Sequence, residues 1–346
     1  FEVVSYRLAG PWGTHVDAPG HAVPGGRTLA EIPPAELIMP LAVLVIMAIF
    51  AWPAARMEPR DLPLGLVGPE QAIAGVEPAL SSHGFEITTW NDEAAARDAI
   101  EHREIYGAII LGQDGTRVLT ASAASPAVAQ LLQGATAQLA LENGQPLPVV
   151  EDVVPAPDGD PRGAVLSASM LPLVLAGIAG AVALSRLTRP GWAQAGYLLG
   201  MSVLNGAVAA WITHSWLDAL HGSWWVIAGA FSLMQLAIIA TGVGSYALWG
   251  LPGLAIASAT MMLFGNPWSG VMSAPELMPT WPAAIGQLLP PGATGRLLRA
   301  TAFFDGASSG GAIGVLLVWI TLGLGAVAWA AMRQRTLVPA GQLAMR

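Results

Sequence analysis

Charged residues are spread so unevenly along this chain that the gaps between them outline its architecture. Leu37 to Ala55 holds 19 residues without a charge, between Glu36 and Arg56. Gly163 to Ser185 holds 23, Pro190 to Leu217 holds 28, Ala219 to Pro275 holds 57 and Gly306 to Met332 holds 27. A helix needs about 20 apolar residues to cross the hydrocarbon core of a bilayer. The 57-residue interval is therefore long enough for two crossings, and "TGVGS" at Thr241–Ser245 is the natural divider. The pattern predicts six transmembrane helices, at about 38–55, 165–185, 192–213, 223–242, 246–264 and 311–332. For 38–55 the alternatives are a buried core helix or a signal peptide. A signal peptide should open the chain behind basic residues, and this run does not. "PELMPTWPAAIGQLLPPG" (275–292) is apolar but broken by Pro and Gly. It reads as a re-entrant or interfacial segment, tolerable only where protein buries its backbone.

Between the first two apolar runs the pattern changes to alternating strand and helix. "LPLGLVG" (62–68), "GFEITTW" (84–90), "YGAIILG" (106–112), "TRVLTAS" (116–122) and "LPVVEDVV" (147–154) have the β-branched and apolar content of strands. The third and fourth are expected to pair across "QDG". Asn91 is placed to cap a helix through "DEAAARDAIEHREI", and Ser125-Pro126 to start another that runs to about Glu142. The fold class is thus an α-helical integral membrane protein of six transmembrane helices, with a small extracytoplasmic α/β domain between the first and second. The divisions are an N-terminal fragment (1–37), the first span (38–56), the α/β domain (57–163), a five-helix domain (164–335) and a cytoplasmic tail (336–346).

Composition supports the membrane assignment and narrows the chemistry. Of the 346 residues 54% are hydrophobic and 11% charged, against roughly 25% charged in soluble domains. Cysteine and lysine are both absent. A P-loop needs its lysine, so the chain carries no Walker A ATPase site of its own. Abundant Ala, Gly and Pro with arginine as the sole long basic residue reads as a high-GC bacterial gene. The first residue is Phe, which reads as a chain that begins mid-gene. Arg186 and Arg189 lie in one short turn, and Arg333, Arg335 and Arg346 follow the last span. With six spans both sets fall on one side, which the positive-inside rule makes cytoplasmic. A multi-pass protein of the bacterial plasma membrane with both termini cytoplasmic is expected. The segment 57–163 holds sixteen acids and five arginines, and translocated domains tolerate that balance. Ten of the thirteen tryptophans lie from Trp192 onward, many at span ends, as an interfacial belt requires. The carboxylates of the α/β segment are scattered, and neither a nucleophile elbow nor a basic patch is present. No catalytic or cofactor-binding residue is assigned there, and no nucleic-acid partner.

One helix, an extracytoplasmic domain and five further helices resembles the ABC-2-type export permeases and the related phage-infection-protein-like membrane proteins of actinobacteria. The strings that carry the resemblance are "WPAARMEPRDLPLGLVGP" (52–69), "AARDAIEHREIYGAIIL" (95–111), "LTASAASPAVAQLL" (119–132), "GNPWSGVMSAPELMP" (265–279), "IGQLLPPGATGRLLR" (285–299) and "AFFDGA" (302–307). It covers about 45–335. It implies a permease subunit in the lipid bilayer, a homo- or hetero-oligomer, with its ATPase on a separate chain and an unknown hydrophobic or envelope-related substrate. A non-transporting membrane receptor or scaffold has the same outline.

The N-terminus resembles a different family. "GTHVDAPGHAVPGGRTLAEIPPAELIMPLAVLVI" (13–46) is similar to the start of the cyclase family of metal-dependent hydrolases, which includes kynurenine formamidases. That family's H-x-G-T-H-x-D-x-P-x-H pattern supplies metal ligands, and onto this chain it carries His15, Asp17 and His21. Gly13, Thr14 and Pro19 match the framework, whereas Pro11 stands where the family has its first histidine. Imidazole and carboxylate suit zinc or manganese, and a bound metal would acidify a water nucleophile. No cofactor is expected unless that motif is active. The two resemblances meet near 40–50, where "LIMPLAVLVI" is a strand in the hydrolase reading and the start of a transmembrane helix in the permease reading. Continuation through "MAIFAWPAA" favours the helix, and the chain reads as a chimera, either a gene fusion or an artefact of assembly. Elsewhere His214, Asp218 and His221, spaced four and three apart, would share a helical face. That makes them a candidate metal or proton site, the alternative being an interfacial loop. Glu276 and Asp305 sit near span ends.

Overall fold

The computed structural model describes residues 34–112, 115–142 and 144–336. The chain divides into two units, 1–52 and 53–346. In the first, the ambiguous apolar run is helical: α1 spans Pro34–Ala55 and crosses into the second unit.

The second unit begins with a sheet domain. Its strands are β1 (Leu62–Val67), β2 (Phe85–Thr89), β3 (Gly107–Gly112), β4 (Gly115–Thr120) and β5 (Val149–Asp152). They stand in the order β2-β1-β3-β4-β5. β1 is parallel to β2 and β3, β3 and β4 form the expected antiparallel hairpin, and β4 is parallel to β5. Parallel neighbours need crossovers, and these are α2 (Glu70–Ser82), α3 (Glu93–Glu101) and α4 (Pro126–Glu142). The cap of α3 falls one residue later than expected. Asp92, not Asn91, is the N-cap, and its carboxylate accepts from the Ala95 N–H at 2.8 Å. An aspartate there also faces the positive end of the helix dipole. Across α3, β4 and β5, Arg97 and Arg117 each bridge Glu93 and Glu151, closing a ring of four ion pairs.

Beyond the sheet lie α5 (Ala164–Leu187), α6 (Trp192–Ala210), α7 (Trp224–Trp249), α8 (Leu251–Ala259), α9 (Thr280–Gln287), α10 (Pro290–Phe303) and α11 (Gly310–Thr336). The buried Asp160 fixes the start of α5, its two oxygens accepting from Ala164 and Val165 N–H at 2.8 Å each. Among the described residues four helices are long and apolar enough to cross a membrane: Ala164–Leu187, Trp192–Trp216, Trp224–Trp249 and Gly310–Arg333. α7 is the central one, 67% buried, while the other three are 28–33% buried. Their outward faces carry exposed leucine and valine, such as Leu199, Val203, Leu204, Leu317, Val318 and Leu322. An apolar surface of that extent suits lipid contact.

The division of the long apolar interval differs from expectation. α7 runs straight through Thr241–Ser245 and ends at Gly250, whose φ is +66°. Pro252 then opens α8. Gly244 serves close packing, not chain reversal: a Cβ there would lie 2.5 Å from the carbonyl oxygen of Gly323 on α11. α8 with its wider final turn, Leu251–Gly265, is a shorter apolar helix. Among the described residues four of the six expected spans are full-length membrane-type helices, and the expected first span lies within the 22-residue α1.

The Pro- and Gly-broken segment forms a helical hairpin. α9 and α10 meet at Leu288, whose carbonyl accepts from the Trp319 indole N–H at 2.8 Å, well inside α11. The other ends of the hairpin return to the sheet domain. Leu277 and Ala274 pack with Leu64, Val118 and Val128, while Phe304 packs with Ile100, Ile105 and Leu119. α10 is almost wholly buried. The opposite end of the bundle brings Leu184, Leu198 and Val327 into one cluster, so the α5–α6 turn and the end of α11 lie together, away from the sheet.

Candidate functional site

The polar residues worth attention converge where the hairpin enters the sheet domain. Tyr106, the residue before β3, donates from its hydroxyl to Glu276 Oε2 at 2.8 Å. Backbone bonds hold the same place: the Arg60 N–H donates to the Glu276 carbonyl and the Glu58 N–H to that of Leu277. Arg60 Nη1 adds a bond to the Leu277 carbonyl at 3.1 Å. Burial, reinforced by the Glu276 carboxylate, pushes the Tyr106 hydroxyl far above its ordinary value. It therefore remains a donor at any physiological pH.

Three further guanidinium groups surround this pair. Arg103 follows α3 in a left-handed backbone conformation, φ +61°, which costs a residue other than glycine roughly 1–2 kcal/mol. Its Nη1 donates to the Arg296 carbonyl at 3.2 Å, and its guanidinium lies 5.4 Å from the centre of the Phe304 ring. Arg299, 7% exposed, donates to the Val271 carbonyl at 2.5 Å. Arg296 donates to the Gln287 carbonyl at 3.3 Å, and its buried Nε has no partner. Among the described residues, no carboxylate lies within ion-pair distance of any of the three. Burial is the main cause lowering the Arg103 guanidinium from its ordinary value. Charges taken out of water without counter-charges are costly, so the arrangement marks this junction as the candidate site.

The residues expected to carry chemistry fare differently. His15, Asp17 and His21 lie outside the described residues. Among the described residues no group of three or more His, Asp or Glu is arranged to hold a metal ion. His214, Asp218 and His221 do not share a helical face. The helix widens over Trp211–Trp216 and then ends, leaving Asp218 and His221 in the following loop. His221 comes within 3.7 Å of Asp218, whereas His214 Nε2 faces the Gly222 carbonyl at 3.1 Å. Glu276 is central to the junction. Arg103, Tyr106, Arg296 and Arg299 were not expected, and the single local signal was two arginines three apart in apolar "GRLLRA".

Inside the bundle the fully buried Gln235 amide ties three helices. It donates to the Leu173 carbonyl on α5 at 2.9 Å and accepts from Asn205 on α6 at 3.2 Å.

A family model described as "Putative cyclase" matches residues 4–72. The match runs past the expected limit near 46, through α1 and β1 to the first turn of α2. No curated protein and no solved structure matches the chain at a significant level.

Proposed function

We propose that the chain is a multi-pass permease subunit of an ABC-2-like export system, with the sheet domain extracytoplasmic and the ATPase on a separate chain. The observation that carries this reading is the helical hairpin α9–α10. It enters the bundle as deep as Trp319 while both its ends pack into the sheet domain. A domain so attached can move an element lying within the membrane, as a transporter requires and a passive anchor does not. The arginines supply the orientation. Arg186, Arg189 and Arg333 gather at the bundle end away from the sheet, the end expected to be cytoplasmic. The absence of lysine leaves ATP binding to a partner. Affinity purification from native membranes tests this. A P-loop ATPase should co-purify in stoichiometric amount, with ATP hydrolysis in the same fraction. Purification without an ATPase would favour a receptor or scaffold.

The family match over residues 4–72 favours a second reading, a metal-dependent hydrolase. His15, Asp17 and His21 would hold zinc or manganese there, and the metal would supply an activated water.

A further inference from the structure

We propose that the arginine cluster at the junction of the sheet domain and the hairpin, formed by Arg103, Arg296 and Arg299, binds a phosphate group, supplied by a lipid headgroup or as free phosphate. The cluster faces the Glu276 carboxylate, which already accepts from Tyr106, and Asp160 lines the same small cavity as Arg299 while accepting from the Ala164 and Val165 N–H groups. Three cations against these two anions leave the junction net positive. The donors are also underused: Arg299 is 7% exposed and has one acceptor, the Val271 carbonyl, and Arg296 Nε is buried without any. Guanidinium forks match the oxygens of phosphate, and an anion among them would supply the missing acceptors. The left-handed backbone at Arg103 belongs to the C-terminal turn of α3, where the Arg103 and Glu104 N–H groups donate to the Ile100 and Ala99 carbonyls. Phe304, on the hairpin, backs the Arg103 guanidinium at 5.4 Å. A cation is disfavoured by the same three charges. The adjacent cavity lined by Arg299, Ser122, Asp160 and Phe303 is about 20 Å³, room for one water. The anion therefore belongs on the side of Arg103 and Arg296, both partly exposed, with Arg299 contributing its charge to the junction. The assignment stands whether or not the protein transports anything.

The test uses the full chain, purified in a neutral detergent and separately placed in nanodiscs. Inorganic phosphate is titrated against the thermal unfolding midpoint at constant ionic strength, with chloride as the reference anion. Nanodiscs of phosphatidylcholine are compared with an equal mixture of phosphatidylcholine and phosphatidylglycerol. A saturable rise with inorganic phosphate in detergent identifies free phosphate as a sufficient ligand. A rise only in the phosphatidylglycerol discs identifies the headgroup. In either arm Arg103→Asn, which suits the left-handed backbone, and Arg296→Gln should each weaken the effect about tenfold or more, as loss of one charge-assisted contact requires. The proposal is overturned if neither probe raises the midpoint, if the rise does not saturate, or if both variants respond as the parent does.

Discussion

Tyr106 and Glu276 are 170 positions apart in sequence and 2.8 Å apart in space. Their hydrogen bond joins the start of β3 to the chain entering the hairpin, and so links the sheet domain to the membrane-type bundle. A hydrogen bond to a charged acceptor contributes about 1.5–3 kcal/mol, and this one is partly buried. Tyr106→Phe should lower the unfolding midpoint of the full chain accordingly. In a Glu276→Ala background the same change should cost little, because its acceptor is gone. Additive losses in the double variant would show that the two residues act separately.

A second prediction concerns the contact between α7 and α11. A Cβ at Gly323 would collide with the backbone of Ala240 and Thr241, while at Gly325 it would meet nothing within 4 Å. Gly323→Ala should therefore destabilise the bundle by at least about 1–3 kcal/mol, because backbone cannot yield as a side chain can. Gly325→Ala should be neutral. The pair is read by the midpoint and by the monodispersity of the purified protein, and equal behaviour would contradict the close approach.

Orientation can be measured directly, because the chain has no cysteine. Ser82 is exposed at the end of α2, and Leu187 is 81% exposed at the far end of α5. Ser82→Cys should react with an impermeant thiol reagent in intact cells, and Leu187→Cys only after permeabilisation. The reverse pattern would invert the proposed topology.

The ring of Glu93, Arg97, Arg117 and Glu151 predicts an acid-sensitive contribution to stability. The hydrogen bond from Arg97 is the largest cause holding the Glu151 carboxyl below its ordinary value of 4.5. A carboxylate lowered in the folded state stabilises above its unfolded pKa and loses that effect as pH falls through the folded one. The midpoint difference between the parent and Glu151→Gln should thus be constant above about pH 5 and shrink below 4.5. The network is solvent-accessible, so added salt should also reduce the difference. A difference that grows on acidification would contradict the assignment.

The parts legible in the sequence are those set by local pattern. All five strands lie where β-branched and apolar runs place them, and Ser125-Pro126 does begin α4. The end of α7 was misplaced because glycine reads as a breaker. In a packed apolar bundle the same residue permits backbones to touch, and Gly244 does so against Gly323. The junction was legible only in fragments, as Glu276 near a span end and two arginines three apart in "GRLLRA". Arg103 and the Arg296 carbonyl it contacts are 193 positions apart, and no spacing rule reaches that far. The incomplete pairing of the arginines becomes visible only once their surroundings are known.

The last prediction returns to "GTHVDAPGH". A hydrolytic metal needs about three protein ligands, each oriented by its own hydrogen-bonding neighbours. His15, Asp17 and His21 would have to provide the whole set within seven residues. Pro11 occupies the position of the family's first histidine, and a proline offers no donor atom. The family match ends at residue 72, so any ligand drawn from later in that family's domain has no matched position here. The permease reading therefore expects no stoichiometric zinc or manganese and no formyl-amide hydrolysis. Metal analysis of the purified chain, beside a His15→Ala/His21→Ala variant, decides the point. About one equivalent of metal in the parent, lost in the variant, would overturn this expectation and put the hydrolase reading first, since three ligands held in place suffice for a catalytic zinc.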